Sequence, residues 1–222
     1  VSKTFAIIGL GRFGGSVART LHAMGHEVLA IDKDPERVQA LAQEVAHAVE
    51  ADTTDEHALK ALGIRNFDVV VVAIGNDIQA SILTTLILKE MGVSNIVVKA
   101  TNELHGKVLM KIGADKVVFP ERDMGVRLVH SLISPNILEF IELSEDHSMV
   151  EIVAGEFFKG KTLQQLDIRR RFGCNVMAIK SGDRFNIAPS ANDVIHEGDM
   201  LVVIGHNRDL QKLQKAADEH DA

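Results

Sequence analysis

At 222 residues, 46% of them hydrophobic, the chain can bury one good core with room for a second, smaller one. A formal charge of −7 and the absence of Trp and Tyr argue against nucleic acid as a partner, since binding it calls for a basic face and stacking aromatics. The single cysteine, Cys174, excludes an internal disulfide and a cysteine-built metal site and points to a reducing compartment. In "GCNVMAIK" it reads as a small buried apolar residue. No apolar run approaches the ~20 residues that span a bilayer and no basic-then-apolar leader opens the sequence, so a soluble, cytoplasmic chain is expected.

From residue 5 to about 134, short β-branched runs alternate with helical patterns. The runs are "FAIIG", "EVLAID", "AHAVEAD", "DVVVVAIG", "NIVVKA" and "KVVFP"; the helices between them include "GSVARTLHAMG", "DPERVQALAQE" and "NDIQASILTTLILKEMG". Six strands that are apolar on both faces, each followed by a helix, call for a parallel sheet covered on both sides, the doubly wound Rossmann-like α/β arrangement. After "SLISPN" the pattern changes, with Pro135 stopping the preceding helix. "MVEIVAG", "CNVMAIKSGDRFNIAPS" and "GDMLVVIGH" read as strands, with a hairpin at Ser181-Gly182-Asp183, and "TLQQLDIRRRFG" as one amphipathic segment. The expected organisation is a nucleotide-binding domain over 1–135 and a small α+β domain over 136–222, closed by a solvated helix, "RDLQKLQKAADEHDA", that frays into a tail.

Gly9, Gly11 and Gly14 form G-x-G-x-x-G between the first strand and the first helix. The first glycine permits the turn, the second lets a phosphate approach the backbone, and the third lets the helix pack against the sheet. Leu10, Arg12 and Phe13 lie within the same loop. Asp32 ends the second strand, where a carboxylate can accept hydrogen bonds from both ribose hydroxyls, and Lys33 follows it. This context points to an adenosine nucleotide, the alternative being a tight turn with no ligand. Arg12 suits a triphosphate, whose added charge a guanidinium can grip in two places; the other reading is a solvated loop arginine. Asp52 and Thr53, ending the third strand, sit at an adenine rim or N-cap the next helix. Ala73, Ile74 and Gly75 end the fourth strand, either leaving room for the ligand or simply packing. Glu121, in "FPERDMG", follows the sixth strand. In a 3-2-1-4-5-6 sheet that strand lies roughly 14 Å from the first, at ~4.8 Å per spacing. Glu121 is therefore expected not to reach its own chain's phosphates, but to serve a neighbour's nucleotide through a divalent cation or to act as a helix first-turn acid.

"FAIIGLGRFGG", "IDKDPERV", "RNFDVVVVAIGNDIQASILTTLILKE", "VVKA" and "KIGADKVVFPERDMG" resemble the RCK (KTN) regulatory subunit of Ktr-type bacterial potassium uptake systems. "LDIRRRFGCNVMAIK" and "GDMLVVIG" are similar to the RCK C-terminal (TrkA-C) domain, so the resemblance runs nearly end to end. It implies a cytoplasmic octameric ring docked peripherally on a dimeric membrane subunit that translocates potassium. It further implies that ATP and ADP compete for the glycine-loop site, with Arg12 on the terminal phosphate, Lys99 also at phosphate, and Glu121 of the adjacent subunit bearing on a cation such as magnesium. The C-terminal domains of such subunits pair and bind cyclic di-AMP, which lowers transport; Ile168, Arg169, Asn175 and Pro189 are the matching positions, with hairpin and helix packing the alternative for Ile168 and Pro189.

On the residues alone two other readings share the same fingerprint. An NAD-dependent oxidoreductase needs a proton-handling residue facing the nicotinamide, and the sequence singles none out. A sensor that reads NADH against NAD without turnover uses Gly9, Gly11, Gly14 and Asp32 equally well.

Overall fold

The computed structural model describes residues 2–133 and 137–221. The chain divides into two compact units, Val1–Arg122 and Asp123–Ala222. The expected helix stop at Pro135, and the 135/136 boundary drawn from it, lie outside the described residues.

In the first unit β1 (Thr4–Ile8), β2 (Glu27–Asp32), β3 (His47–Glu50), β4 (Val69–Val72), β5 (Ile96–Lys99) and β6 (Lys116–Val118) form one parallel sheet in the order β3-β2-β1-β4-β5-β6. This is the doubly wound order expected from the sequence. Helices α1 (Arg12–Ala23), α2 (Pro35–Leu41), α3 (Glu56–Ala61), α4 (Ile78–Glu90), α5 (Glu103–Ile112) and α6 (Pro120–Ile133) follow the six strands in turn, with a short 3-10 turn at Ile64–Asn66. Strand periodicity divides the core in two. Ala6 and Ile8 of β1, Leu29 and Ile31 of β2, and Val70 and Val72 of β4 pack with Leu59, Leu88 and Leu109 on one face. The intervening Ile7, Val28, Ala30 and Val71 pack with Ala18 and Leu41 on the other. Apolar runs without alternation are what a sheet buried on both faces requires.

In the second unit β7 (Ile137–Glu142), β8 (His147–Val153), β9 (Asn175–Ser181), β10 (Arg184–Asn186) and β11 (Met200–His206) form an antiparallel sheet in the order β10-β9-β11-β8-β7. The hairpin stands where it was expected: Arg184 pairs with Ser181, and Gly182 turns with φ +56°. Three expectations are corrected. β7 is an additional strand. The segment read as one amphipathic element is two short helices, α7 (Leu163–Leu166) and α8 (Ile168–Phe172), parted at Asp167, whose φ of +44° is left-handed and breaks the helical path. The closing helix α9 (Asn207–Asp221) is not solvated all round, because Leu210, Leu213 and Ala217 are buried in the core with Val150, Ile152, Phe158, Leu201 and Val203.

Cys174 is fully buried in that core, as expected, and burial pushes its thiol pKa up to about 11. It packs so closely on β11 that a Cβ at Gly205 would lie 2.9 Å from its Sγ.

Candidate functional site

The glycine loop is held by contacts that tolerate no larger residue at two of its three glycines. Gly9 has φ +90°, and a Cβ there would lie 3.0 Å from the Ala73 carbonyl carbon and the Ile74 nitrogen. A Cβ on Gly14 would lie 1.9 Å from the Gly9 carbonyl oxygen and 3.0 Å from the Ala73 Cβ. Ala73 is thus small because α1 and the strand-four terminus meet on it; its backbone N–H donates to the Ile8 carbonyl at 2.7 Å. Gly11 is different, with nothing within 4 Å of its Cβ position. It is the N-cap of α1 and offers no side-chain acceptor, so the first N–H groups of the helix are left available to an anion.

Asp32 is buried, and its carboxylate binds the loop to the end of β2. The Leu10 N–H donates to its Oδ2 at 2.6 Å and the Asp34 N–H to its Oδ1 at 3.0 Å, while Arg37 stands 3.5 Å from Oδ2. Leu10 acts here through its backbone, its side chain being buried in the core. An ionised carboxylate has about four acceptor sites, so two backbone donors leave capacity for a ribose.

A cleft of about 670 Å³ opens above these ends of the sheet. Gly9, Gly11, Arg12, Phe13, Asp32, Lys33, Asp52, Thr53, Ala73, Ile74, Gly75, Lys99 and Glu121 all line it, whereas Leu10 and Gly14 do not. Arg12, at the first helical position, is exposed and has no ion pair among the described residues. Asp52 does not cap the next helix. Asp55 does, accepting from the His57 N–H at 2.9 Å, because it is Asp55 that immediately precedes α3. Asp52 instead accepts from the Thr54 N–H and hydroxyl, which hold its carboxyl below the usual carboxylate range. Thr53 turns inward, its hydroxyl 3.0 Å from that of Thr84 on α4.

Glu121 lines this chain's cleft, where its carboxylate accepts a 2.5 Å hydrogen bond from Lys99 Nζ. Glu121 stands in the first turn of α6, the helix that follows β6, and Lys99 reaches toward it from the end of β5. The Lys99 hydrogen bond holds the Glu121 carboxyl below the usual range, and the positive charge of Arg12 adds to the effect.

Sequence reasoning missed Arg37 and the run Asn76–Asp77, which also line the cleft. Arg37 was within reach of the sequence: Asp34 and Pro35 are an N-cap and first-turn proline, which place Arg37 one turn above Asp34, where its Nε stands 3.4 Å from the carboxylate.

In the second unit Ile168 is buried in the core, the packing alternative for that residue. Arg169 and Asn175 are exposed and Pro189 half-buried, and no hydrogen bond or ion pair among the described residues joins any of the four to another. No group of three His, Cys, Asp or Glu side chains among the described residues can hold a metal ion, and no helix among them is long and apolar enough to cross a membrane.

Residues 5–120 match the TrkA-N domain and residues 148–218 the TrkA-C domain. The chain is 54% identical over 215 residues to the Ktr system potassium uptake protein C of Bacillus subtilis, covering 97% of each. It is 49% identical to the Ktr system potassium uptake protein A of the same organism, covering 96% of each. Among solved structures the GsuK RCK domain superposes with a TM-score of 0.67 at 20% identity, over 99% of this chain and 48% of that one, so the chain spans about half the length of that relative in structure.

Proposed function

Because this chain belongs to the family of Ktr system potassium uptake proteins built from a TrkA-N and a TrkA-C domain, we propose that it is the cytosolic, nucleotide-sensing gating subunit of such a system. The observation that carries the reading is the single cleft in which an uncapped helix N-terminus, Arg12, Lys99 and the buried Asp32 converge. Asp32 takes the ribose. The α1 N-terminus takes the inner phosphates, and Arg12 with Lys99 takes the terminal ones, a charge set matched to a polyphosphate. Asp52, Thr53, Lys33 and the Ala73–Gly75 stretch enclose the adenosine end and the crevice floor.

The chain binds without turnover, and ATP and ADP act by preferring different subunit arrangements. The shift they produce can be no larger than their differential affinity for those arrangements. A divalent cation at Glu121 accompanies ATP. Since the chain offers no cluster of three ligand side chains among its described residues, that cation draws its other ligands from phosphate oxygens and water, the usual habit of magnesium. The nucleotide domain extends over 1–135 and the second domain over 136–222, where Arg169, Asn175 and Pro189 mark a cyclic di-AMP site with inhibitory effect while Ile168 packs in the core. Subunits assemble into an octameric ring on the inner face of the membrane, attached through a dimeric potassium-translocating partner.

Arg12→Ala tests the triphosphate assignment. The expected result is a collapse of the ATP-to-ADP affinity ratio with ADP affinity nearly kept; an unchanged ratio would overturn the role of Arg12. A second reading, an NADH/NAD sensor, draws on the cleft itself, whose 670 Å³ falls within the size of small-molecule sites that admit a dinucleotide.

A further inference from the structure

Two histidines face each other at one end of the second sheet. His206, the last residue of β11, stands opposite His147, the first of β8, in the antiparallel register, so their side chains leave the same face of the sheet. Their ring centroids are 5.2 Å apart and the ring planes are inclined at 60°. That separation has a chemical meaning. A divalent ion about 2.0 Å from an imidazole nitrogen lies about 3.2 Å from the ring centroid, so two imidazoles on one tetrahedral ion have centroids roughly 5.2 Å apart, against roughly 4.5 Å on adjacent positions of an octahedral one. Neither ring is committed elsewhere. His147 Nδ1 stands 3.4 Å from the Ser144 hydroxyl and His206 Nδ1 accepts from the Arg208 N–H at 3.4 Å, both longer than an ordinary hydrogen bond, and neither Nε2 has a hydrogen-bond partner among the described residues. An Nδ1–H directed at a hydroxyl is also the arrangement that leaves Nε2 its lone pair for a metal. The turn before His147 carries Glu142, Glu145 and Asp146, and Arg208 is paired with Asp209, so the local charge favours a cation. The histidines stand at a joint. Asn207, next after His206, donates its N–H to the Asp146 carbonyl at 2.8 Å and its side-chain amide to the Glu145 carbonyl at 3.1 Å, and accepts from the Ser148 hydroxyl at 2.7 Å.

We propose that His147 and His206 form a binding site for a divalent transition-metal ion of the zinc class, which joins β8 to β11 at the point where β11 runs into α9, with water completing the tetrahedron. The inference is independent of the nucleotide reading. Imidazole selects borderline ions such as zinc, whereas magnesium is a hard ion that takes oxygen ligands, so the two classes of cation do not compete here. With two protein ligands instead of the four of a structural zinc site, the ion is exchangeable. It stabilises the second unit, because both ligands come together only when the two strands are paired.

The test is calorimetric titration of the full chain with zinc chloride, in buffer holding excess magnesium, for the wild type, His147→Gln, His206→Gln and the double variant. A control carries His22→Gln and His57→Gln, at two exposed histidines of the first unit. Each single substitution in the second unit is expected to weaken zinc binding by about tenfold or more, and the double variant should lie within about twofold of the singles, because either loss already breaks the chelate. The control should bind as the wild type does. Cobalt(II) supplies a readout of geometry: the intense visible absorption of a tetrahedral ion should appear with the wild type and vanish in either variant. Zinc should also raise the melting midpoint of the second unit in the wild type and leave that of the variants in place. Zinc affinity unchanged in both His147→Gln and His206→Gln would assign the ion to other histidines and overturn the proposal. So would the pale absorption of octahedral cobalt, or a wild type that takes up no zinc. His147 is exposed and His206 half-buried, so the metal-free variants should melt with the wild type, and each variant tests the site without the other.

Discussion

Gly14→Ala should unfold the first unit early, and Gly11→Ala should leave it standing. At position 14 the added methyl carbon would sit 1.9 Å from the Gly9 carbonyl oxygen, where carbon–oxygen contacts below 3.0 Å are not tolerated. Two backbone segments must therefore part by about 1.1 Å, and no side-chain rotation relieves the clash. The Ala73 Cβ, at 3.0 Å, blocks movement toward β4. Overpacking of this kind costs about 2–3 kcal/mol, which for a unit of this size corresponds to a fall of roughly 8–12 °C in its melting midpoint. At position 11 the methyl meets nothing, and the backbone angles of φ −66° and ψ −171° suit alanine. The fold should lose no more than about 1 kcal/mol from the changed N-cap. ATP affinity should nonetheless fall about tenfold or more, since the methyl takes the space through which a phosphate approaches the helix N-terminus. Circular dichroism melts of the two variants, paired with nucleotide titration, read both effects. A Gly14→Ala variant that melts within about 2 °C of the wild type would refute the packing argument, and a Gly11→Ala variant that binds ATP normally would refute the phosphate path.

Two further outcomes follow from the geometry. His105 is buried on α5, its Nδ1 accepting from the Thr101 N–H at 3.3 Å and its Nε2 without a partner, and burial lowers its pKa from 6.5. The unfolded chain therefore binds the proton more readily than the folded one: stability is full above pH 6.5 and declines as the pH falls through 6.5 toward the folded-state value. Urea midpoints between pH 8 and pH 5 should show a decline that is shallower in His105→Gln, and identical slopes would count against it. Asp167 holds a left-handed φ of +44° with no side-chain cap and only a 3.9 Å ion pair to the exposed Arg170. Asp167→Gly should raise the denaturation midpoint of the second unit by the equivalent of about 0.5–1 kcal/mol; a lowered midpoint would mean the aspartate does something these contacts do not contain.

The sheet order, the strands of the first unit and the floor of its cleft were legible because they rest on local rules. Runs such as Val69–Val72 need both faces covered, and the Gly9–Gly14 spacing between strand and helix fits one use of a βα turn. What escaped was set by distant contacts. β7 carries a register shift between Ile137 and Glu139, which interrupts the alternation by which an edge strand is recognised. α9 buries only Leu210, Leu213 and one alanine in its described inner face, too few apolar residues to outweigh a charged sequence. The Lys99–Glu121 pair escaped because strand spacing measures backbones, whereas this contact is made by the side chain of Lys99.

The measurement that bears most directly on the gating account is a calorimetric titration of nucleotide-free protein with ATP, ADP and NADH, each with and without magnesium. The account predicts tight binding of both ATP and ADP in one competitive site, with a magnesium effect confined to ATP. Strong preference for NADH with no magnesium effect would contradict it, leaving Arg12 an ordinary loop residue and the Lys99–Glu121 pair a structural contact.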